Sequence, residues 1–170
     1  PTIKRENLRS FGSKVTVCEG DISDPKFVQE TFDVGRFDAV IHLAARAGVR
    51  PSIEQPELYI DTNIKGTFHL LEAARRTGVK HFVFASSSSV YGVNKKVPFA
   101  EADPILQTIS PYAMTKMAGE QICSNYAQLS GIRCVTGAEF DGGSDLGYNR
   151  MNFRWGNVGT DRKSTRLNSS

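Results

Sequence analysis

Long apolar runs are missing from this chain of 170 residues. A membrane-spanning helix needs ~20 consecutive apolar residues, and the longest apolar stretch, Asp38 to Ala47, is far shorter and interrupted. The chain does not start with the basic-then-apolar pattern of a secretory leader, so none is expected. Cysteine is scarce as well. Cys18, Cys123 and Cys134 make an odd number with no C-x-x-C pair. Neither a disulfide framework nor a zinc site is indicated, and reduced thiols in a cytoplasmic protein are the expectation. Charge of one sign is also lacking, with 21 Lys+Arg against 18 Asp+Glu for a net +3. Most of that excess sits in the last ten residues, where Arg162, Lys163 and Arg166 face only Asp161. The nearly neutral remainder supports neither a nucleic-acid nor a membrane partner. No His, Cys and carboxylate cluster has metal-ligand spacing, and no Gly-x-Gly-x-x-Gly links a strand to a helix.

What is present alternates between two periods. Segments at Lys14–Gly20, Phe37–Ala44, Lys80–Ala85 and Ile132–Thr136 are short and rich in β-branched or aromatic residues. They read as parallel strands buried on both faces. Helical stretches at Asp24–Phe32, Ser52–Thr77 and Ser110–Leu129 separate them. This order predicts an α/β fold with a parallel sheet. Phe68, Leu71, Ala74 and Arg75 have the spacing of a buried helical stripe with polar edges, and Gly78 supplies a stop. Ser110 reads as an N-cap with Pro111 in the first turn. After Gly137 no sustained period continues, which predicts an irregular segment.

Few residues offer chemistry. The serines Ser86 to Ser89 follow a predicted strand; a hydroxyl at the carboxyl end of a parallel strand lies where open α/β sheets bind ligands, but alone they read as a polar turn. Tyr-x-x-x-Lys spacing, which puts both side chains on one helix face, occurs at Tyr91/Lys95 and Tyr112/Lys116. Only the second lies in a capped helix, so only there should the side chains meet. A neighbouring ammonium favours the phenolate, so Tyr112 could act as a proton acceptor; a surface lysine on an amphipathic helix is the structural alternative. His42, inside a strand pattern, reads as a core residue without chemistry.

Five segments occur together in order: Gly20-Asp-Ile-Ser-Asp24, His42-Leu-Ala-Ala45, Asn63-Ile-Lys-Gly-Thr67, Ser86-Ser-Ser-Ser-Val-Tyr-Gly92 and Tyr112-Ala-Met-Thr-Lys116. This set resembles the NAD-dependent nucleotide-sugar epimerase/dehydratase family of extended short-chain dehydrogenase/reductases, over about Asn7 to Gly137. Ala45 to Ser52 looks most like the UDP-glucuronate 4-epimerases. The resemblance implies that Tyr112 is the base and acid, that Lys116 holds the nicotinamide ribose, and that Ser87 matches the catalytic Ser/Thr. It implies that Asp21 and Ile22 flank the adenine of NAD, that Leu43, Ala44 and Ala45 line the cofactor cleft, and that Asn63 supports the site. The activity implied is removal of hydride from sugar C4 and its return to the other face, on a UDP-uronate or UDP-hexose, within carbohydrate metabolism. Dehydratases of the family carry an Asp-Glu pair where this chain has Ser88 and Ser89, which argues against dehydration. A homodimeric parent is expected.

Two departures from the family pattern set further expectations. The family opens with a strand, a glycine-rich loop, a helix and a second strand, none of which this chain carries. The expected fold is therefore a partial Rossmann-type doubly wound parallel sheet lacking its first two strands. With strands ~4.8 Å apart, the Lys14–Gly20 strand would lie about 14 Å from its next neighbour. Residues 1–137 are expected to be an incomplete NAD-binding domain, inactive by itself. Residues 138–170 do not resemble the family and are expected to be an aberrant tail, with 161–170 like a translated sequencing adapter. Alternatives to a 4-epimerase fragment are a fragment of a dehydratase or reductase, or a non-catalytic nucleotide-binding domain. A basic-tailed nucleic-acid binder is the weakest of the readings.

Overall fold

A computed structural model describes residues 8–96, 99, 103, 107–139 and 156–158. Four strands form one sheet in the order β1 (Ala39–His42), β2 (His81–Ser87), β3 (Arg133–Glu139) and β4 (Gly156–Val158). The first three are parallel, with Val40 opposite Phe82 and Phe82 opposite Cys134, and β4 runs antiparallel to β3. The crossovers are helical, as parallel pairs require.

Local chemistry starts and stops these helices. In α1 (Pro25–Val34), the Asp24 side chain accepts the Lys26 N–H at 2.9 Å, and Pro25 occupies the first turn. A short α2 (Val49–Glu54) precedes α3 (Pro56–Tyr59), which runs through a π-helical turn (Ile60–Lys65) into α4 (Gly66–Thr77). Gly78 ends α4 in the left-handed region at φ 77 and donates to the carbonyls of Ala74 and Arg75, which is how a glycine closes a helix. In α5 (Pro111–Ser130), Ser110 caps the Ala113 N–H at 3.1 Å.

The core joins three helices to one sheet face. Val28 and Phe32 of α1, Leu71 and Ala74 of α4, and Cys123 of α5 pack on Phe82, Phe84 and Cys134. The buried stripe of α4 is Thr67, Leu71 and Ala74, whereas Phe68 is 46% exposed and Arg75 lies at the surface. One residue is ~100° of helix turn, so Phe68 stands at the stripe's edge, against the Tyr126 ring at 6.3 Å.

Three sequence expectations need correction. Lys14–Gly20 is not a strand: Arg9–Lys14 forms 3-10 turns, and residues 15–20 pair with no strand among the described residues. Val15 is extended, but an extended segment becomes a strand only by sharing a ladder, and Val17 stays exposed. The strands are not buried on both faces either, since Ile41 is 66% exposed while its neighbour His42 is buried. Finally, the segment after Gly137 is not irregular throughout: β3 runs to Glu139, and residues 156–158 pair back on it. The remaining expectations for the tail concern residues outside the described ones.

Candidate active site

The carboxyl ends of β1 and β2 are adjacent because these strands are parallel and paired. In open α/β sheets, ligands bind at such ends. The loop 43–48 leaves β1, Ser87 closes β2, and α5 packs against β2, the turn that follows it and α2.

Lys116, on the second turn of α5, is the cation of the site. It is only 5% exposed, and its Nζ donates to the Ala85 carbonyl at 2.7 Å. It lies 5.1 Å from the Phe84 ring centroid and 6.0 Å from that of Tyr112. The Tyr112/Lys116 pair thus meets on one helix face. Tyr91 instead ends the 3-10 turn Ser88–Tyr91, and Lys95 lies beyond it outside any helix. Helical context separates the two pairs, as the sequence implied. Tyr112 is half-buried, with its ring edge-on to Tyr59 at 6.3 Å.

Ser87 is half-buried, and its Oγ accepts the Ser89 N–H and donates to the Ser89 hydroxyl, both at 3.2 Å. It therefore engages its own turn rather than Tyr112. The neighbouring Ser86 points to the opposite strand face, where it donates to the carboxylate of Glu120. Burial pushes the Glu120 carboxyl up from its usual range. Lys116 and Glu120 are one helical turn apart, so α5 grips the end of β2 at two successive residues.

Asn63 is 2% exposed and sits in the π-helical turn, a geometry that recurs at functional sites. Its Oδ1 accepts the Arg46 N–H at 2.8 Å, and its Nδ2 donates to the Arg46 carbonyl and the Thr115 hydroxyl, each at 3.0 Å. One carboxamide thereby ties the loop after β1 to α5. The Thr67 hydroxyl donates to the Asn63 carbonyl at 2.6 Å and lies 2.9 Å from His42 Nε2. With its proton given to Asn63, Thr67 accepts from His42, which makes His42 the Nε2–H tautomer. Burial first, and the Lys116 charge second, hold His42 down to about 4, so it is neutral.

The residues expected around a cofactor are placed less tightly. Leu43 is 50% exposed and Ala44 is exposed, with Ala45 half-buried at the start of the same loop. Asp21 accepts the Ser23 N–H and hydroxyl at 2.8 Å. Those bonds, with a smaller contribution from Arg46, lower its carboxyl. Ile22 is tied to α4, with its carbonyl facing His69 Nδ1 at 3.2 Å. A Cβ on Gly66 would come within 2.7 Å of the Ile22 side chain, so glycine permits the approach. The structure thus joins Asn63, Tyr112 and Lys116 through Thr115 and α5, while Ile22 packs on α4 and Asp21 feels the charge of Arg46.

Sequence reasoning did not single out Ser52, Tyr59, Thr115 or Glu120. Thr115 stood inside the Tyr-x-x-x-Lys segment and could have been found there. The contacts of Ser52 and Tyr59 cross the chain and leave no periodic signal. Among the described residues no helix is long and apolar enough to cross a membrane, and no cluster could hold a metal ion.

A family profile described as GDP-mannose 4,6 dehydratase matches residues 2–153. UDP-glucuronate 4-epimerase 1 of Arabidopsis thaliana is 44% identical over 142 residues, covering 82% of this chain and 33% of the relative. The chain therefore spans about a third of the length of the curated relatives it matches. The solved UDP-glucose 4-epimerase of Thermus thermophilus, in complex with NAD, superposes with a TM-score of 0.66 at 37% identity, over 70% of this chain and 39% of that one. The UDP-glucose 4-epimerase of Thermotoga maritima with UDP-glucose gives 0.68 at 35% identity, over 71% and 40%.

Proposed function

Because this chain belongs to the NAD-dependent epimerase/dehydratase family, we propose that the full-length protein containing it is a nucleotide-sugar 4-epimerase. Its substrate is a UDP-uronate or UDP-hexose, with UDP-glucuronate first, on the 44% identity to a UDP-glucuronate 4-epimerase. The observation that carries the reading is the buried Lys116, 6.0 Å from the Tyr112 ring and bonded two residues before Ser87.

The residues present suit the nicotinamide–ribose side of NAD. Lys116 is a buried donor at the carboxyl end of a parallel strand, chemistry that matches ribose hydroxyls. Asp21 is an exposed carboxylate with Ile22 beside it, a pairing that suits the adenosine end. Leu43, Ala44 and Ala45 offer a small apolar wall after β1. When bound, NAD would supply a hydride acceptor and donor at the sugar.

The protein's own residues handle the proton. Tyr112 takes the C4 hydroxyl proton as the C4 hydrogen leaves, and returns it after the keto sugar has turned over. The Lys116 ammonium offsets the negative charge that the Tyr112 oxygen carries whenever it does not hold that proton, in a site where burial strengthens electrostatics. Ser87 holds the C4 oxygen by hydrogen bond, exchanging its weak 3.2 Å contact with Ser89 for the substrate. Asn63 keeps the loop 43–48 and α5 in register. Ser88 and Ser89 carry hydroxyls too weakly acidic or basic to eliminate water, which favours epimerisation over dehydration.

The test is interconversion of UDP-glucuronate and its C4 epimer by the full-length protein, followed by chromatography. Tyr112→Phe should reduce turnover at least 10³-fold, the upper part of the range for an acid–base group, with circular dichroism unchanged. No turnover by the wild type, or a near-normal rate in Tyr112→Phe, overturns the proposal.

A further inference from the structure

The first four N–H groups of a helix have no partner within it, and those of α5 are met in two different ways. Pro111 has no N–H to satisfy. Ala113 donates to the Ser110 hydroxyl at 3.1 Å, and the helix's own bonds begin with Met114, which donates to the Ser110 carbonyl at 3.0 Å. Tyr112 donates to none of these. Its N–H goes to Ser52 Oγ at 3.1 Å, on a helix 60 residues earlier in the chain. Ser52 is 0% exposed, so water has no access to replace it. Its own proton is committed to the Val49 carbonyl at 2.5 Å, which leaves the oxygen lone pairs for Tyr112.

We propose that Ser52 is a positioning residue for Tyr112, setting where the phenol stands relative to Lys116. The inference rests on the reading of Tyr112 as the acid–base group. Two separate anchors define that pair. Lys116 is held to the sheet through Ala85, while the turn bearing Tyr112 is held to α2 through Ser52. The α2 anchor is itself rigid, because α2 follows directly on the loop 43–48. That loop is clamped at Arg46 by Asn63 and at the Ala47 carbonyl by the Tyr59 hydroxyl at 2.7 Å. The Tyr59 ring also meets the Tyr112 ring in a T-shaped contact. Loss of the Ser52 hydroxyl frees one anchor and leaves the other, so the phenol shifts while the ammonium stays.

The experiment compares wild type, Ser52→Ala, Ser52→Cys and Tyr112→Phe as full-length proteins. Misplacement by ~1 Å can cost about 10²-fold in rate. Ser52→Ala should lower kcat by about 10-fold or more, with the KM for UDP-glucuronate and the content of bound NAD within about 2-fold of wild type. Sulfur accepts hydrogen bonds weakly, so Ser52→Cys should fall between Ser52→Ala and wild type. An unchanged kcat in Ser52→Ala overturns the proposal. So does a fall in kcat matched by loss of NAD or a rise in KM, or failure of both Ser52 variants to fold, since each marks a purely structural role. If the wild type turns over and Tyr112→Phe does not while Ser52→Ala is normal, only the positioning role fails. If the wild type does not turn over, the epimerase reading fails and no base remains for Ser52 to position.

Discussion

Acidification should destabilise the fold through His42 as well as through its carboxylates. The imidazole is 4% exposed, packs near the Phe82 and Phe84 rings, and faces Thr67. Burial and the Lys116 charge hold it down to about 4, against 6.5 for an ordinary histidine. The folded value is depressed, so the stability it confers is present above pH 6.5 and is lost as pH falls to about 4. In that window the unfolded chain binds a proton that the folded one refuses. At 1.36 kcal/mol per unit, the loss reaches about 3 kcal/mol by pH 4. Set against a typical stability of about 5–15 kcal/mol, this lowers the melting midpoint of a full-length protein about three times the matched length by roughly 3 °C. Carboxylates add their own slope, so the assay compares wild type with His42→Leu in the full-length protein between pH 7 and 4. The variant should show a shallower decline, and the imidazole C–H resonance in the wild type should titrate near 4. Lys116→Met should move that titration upward by removing the second cause. A His42 resonance titrating at 6 or above, or equal slopes in the two proteins, refutes the reasoning.

Two further substitutions probe the scaffold of the site. Asn63→Ala leaves the Arg46 N–H and carbonyl without their partner; each buried group so orphaned costs about 1–3 kcal/mol, and the exposed position of Arg46 places the cost at the low end. Amide exchange in the loop 43–48 should accelerate at least 10-fold, and unchanged exchange would show that Asn63 does not hold it. Gly119→Ala would put a Cβ 2.3 Å from the Phe84 ring, which is 2% exposed and lies beneath Lys116. Overpacking of about 1–3 kcal/mol exceeds the helix propensity gained by alanine, so thermal melting should show a net loss; an equal or higher midpoint contradicts that packing.

Much of the fold was written locally. The caps at Asp24 and Ser110, the stop at Gly78 and the β-branched runs of β1 to β3 act within a few residues, so their elements stand close to where the sequence places them. The pairing of Tyr112 with Lys116 was equally local, since helix geometry alone puts residues i and i+4 together. Asn63 and Ser87 were marked by family resemblance, because nothing beside Asn63 signals a role and a serine run after a strand reads first as a turn. The segment Lys14–Gly20 shows the limit of composition, as its valines suit a strand but a strand needs a partner. Phe68 shows the limit of periodicity, as Thr67 took the buried position one residue away.

What the sequence by itself determined is the alternation of β1 to β3 with helices and the helix face that carries Tyr112 and Lys116. Tertiary structure alone decided that Asn63 clamps Arg46, that Glu120 holds Ser86, and that Ser52 supplies the missing partner of the Tyr112 N–H. Those contacts join residues 17, 34 and 60 positions apart. They follow from which buried polar groups remain unsatisfied after the elements pack, and no local pattern encodes that remainder.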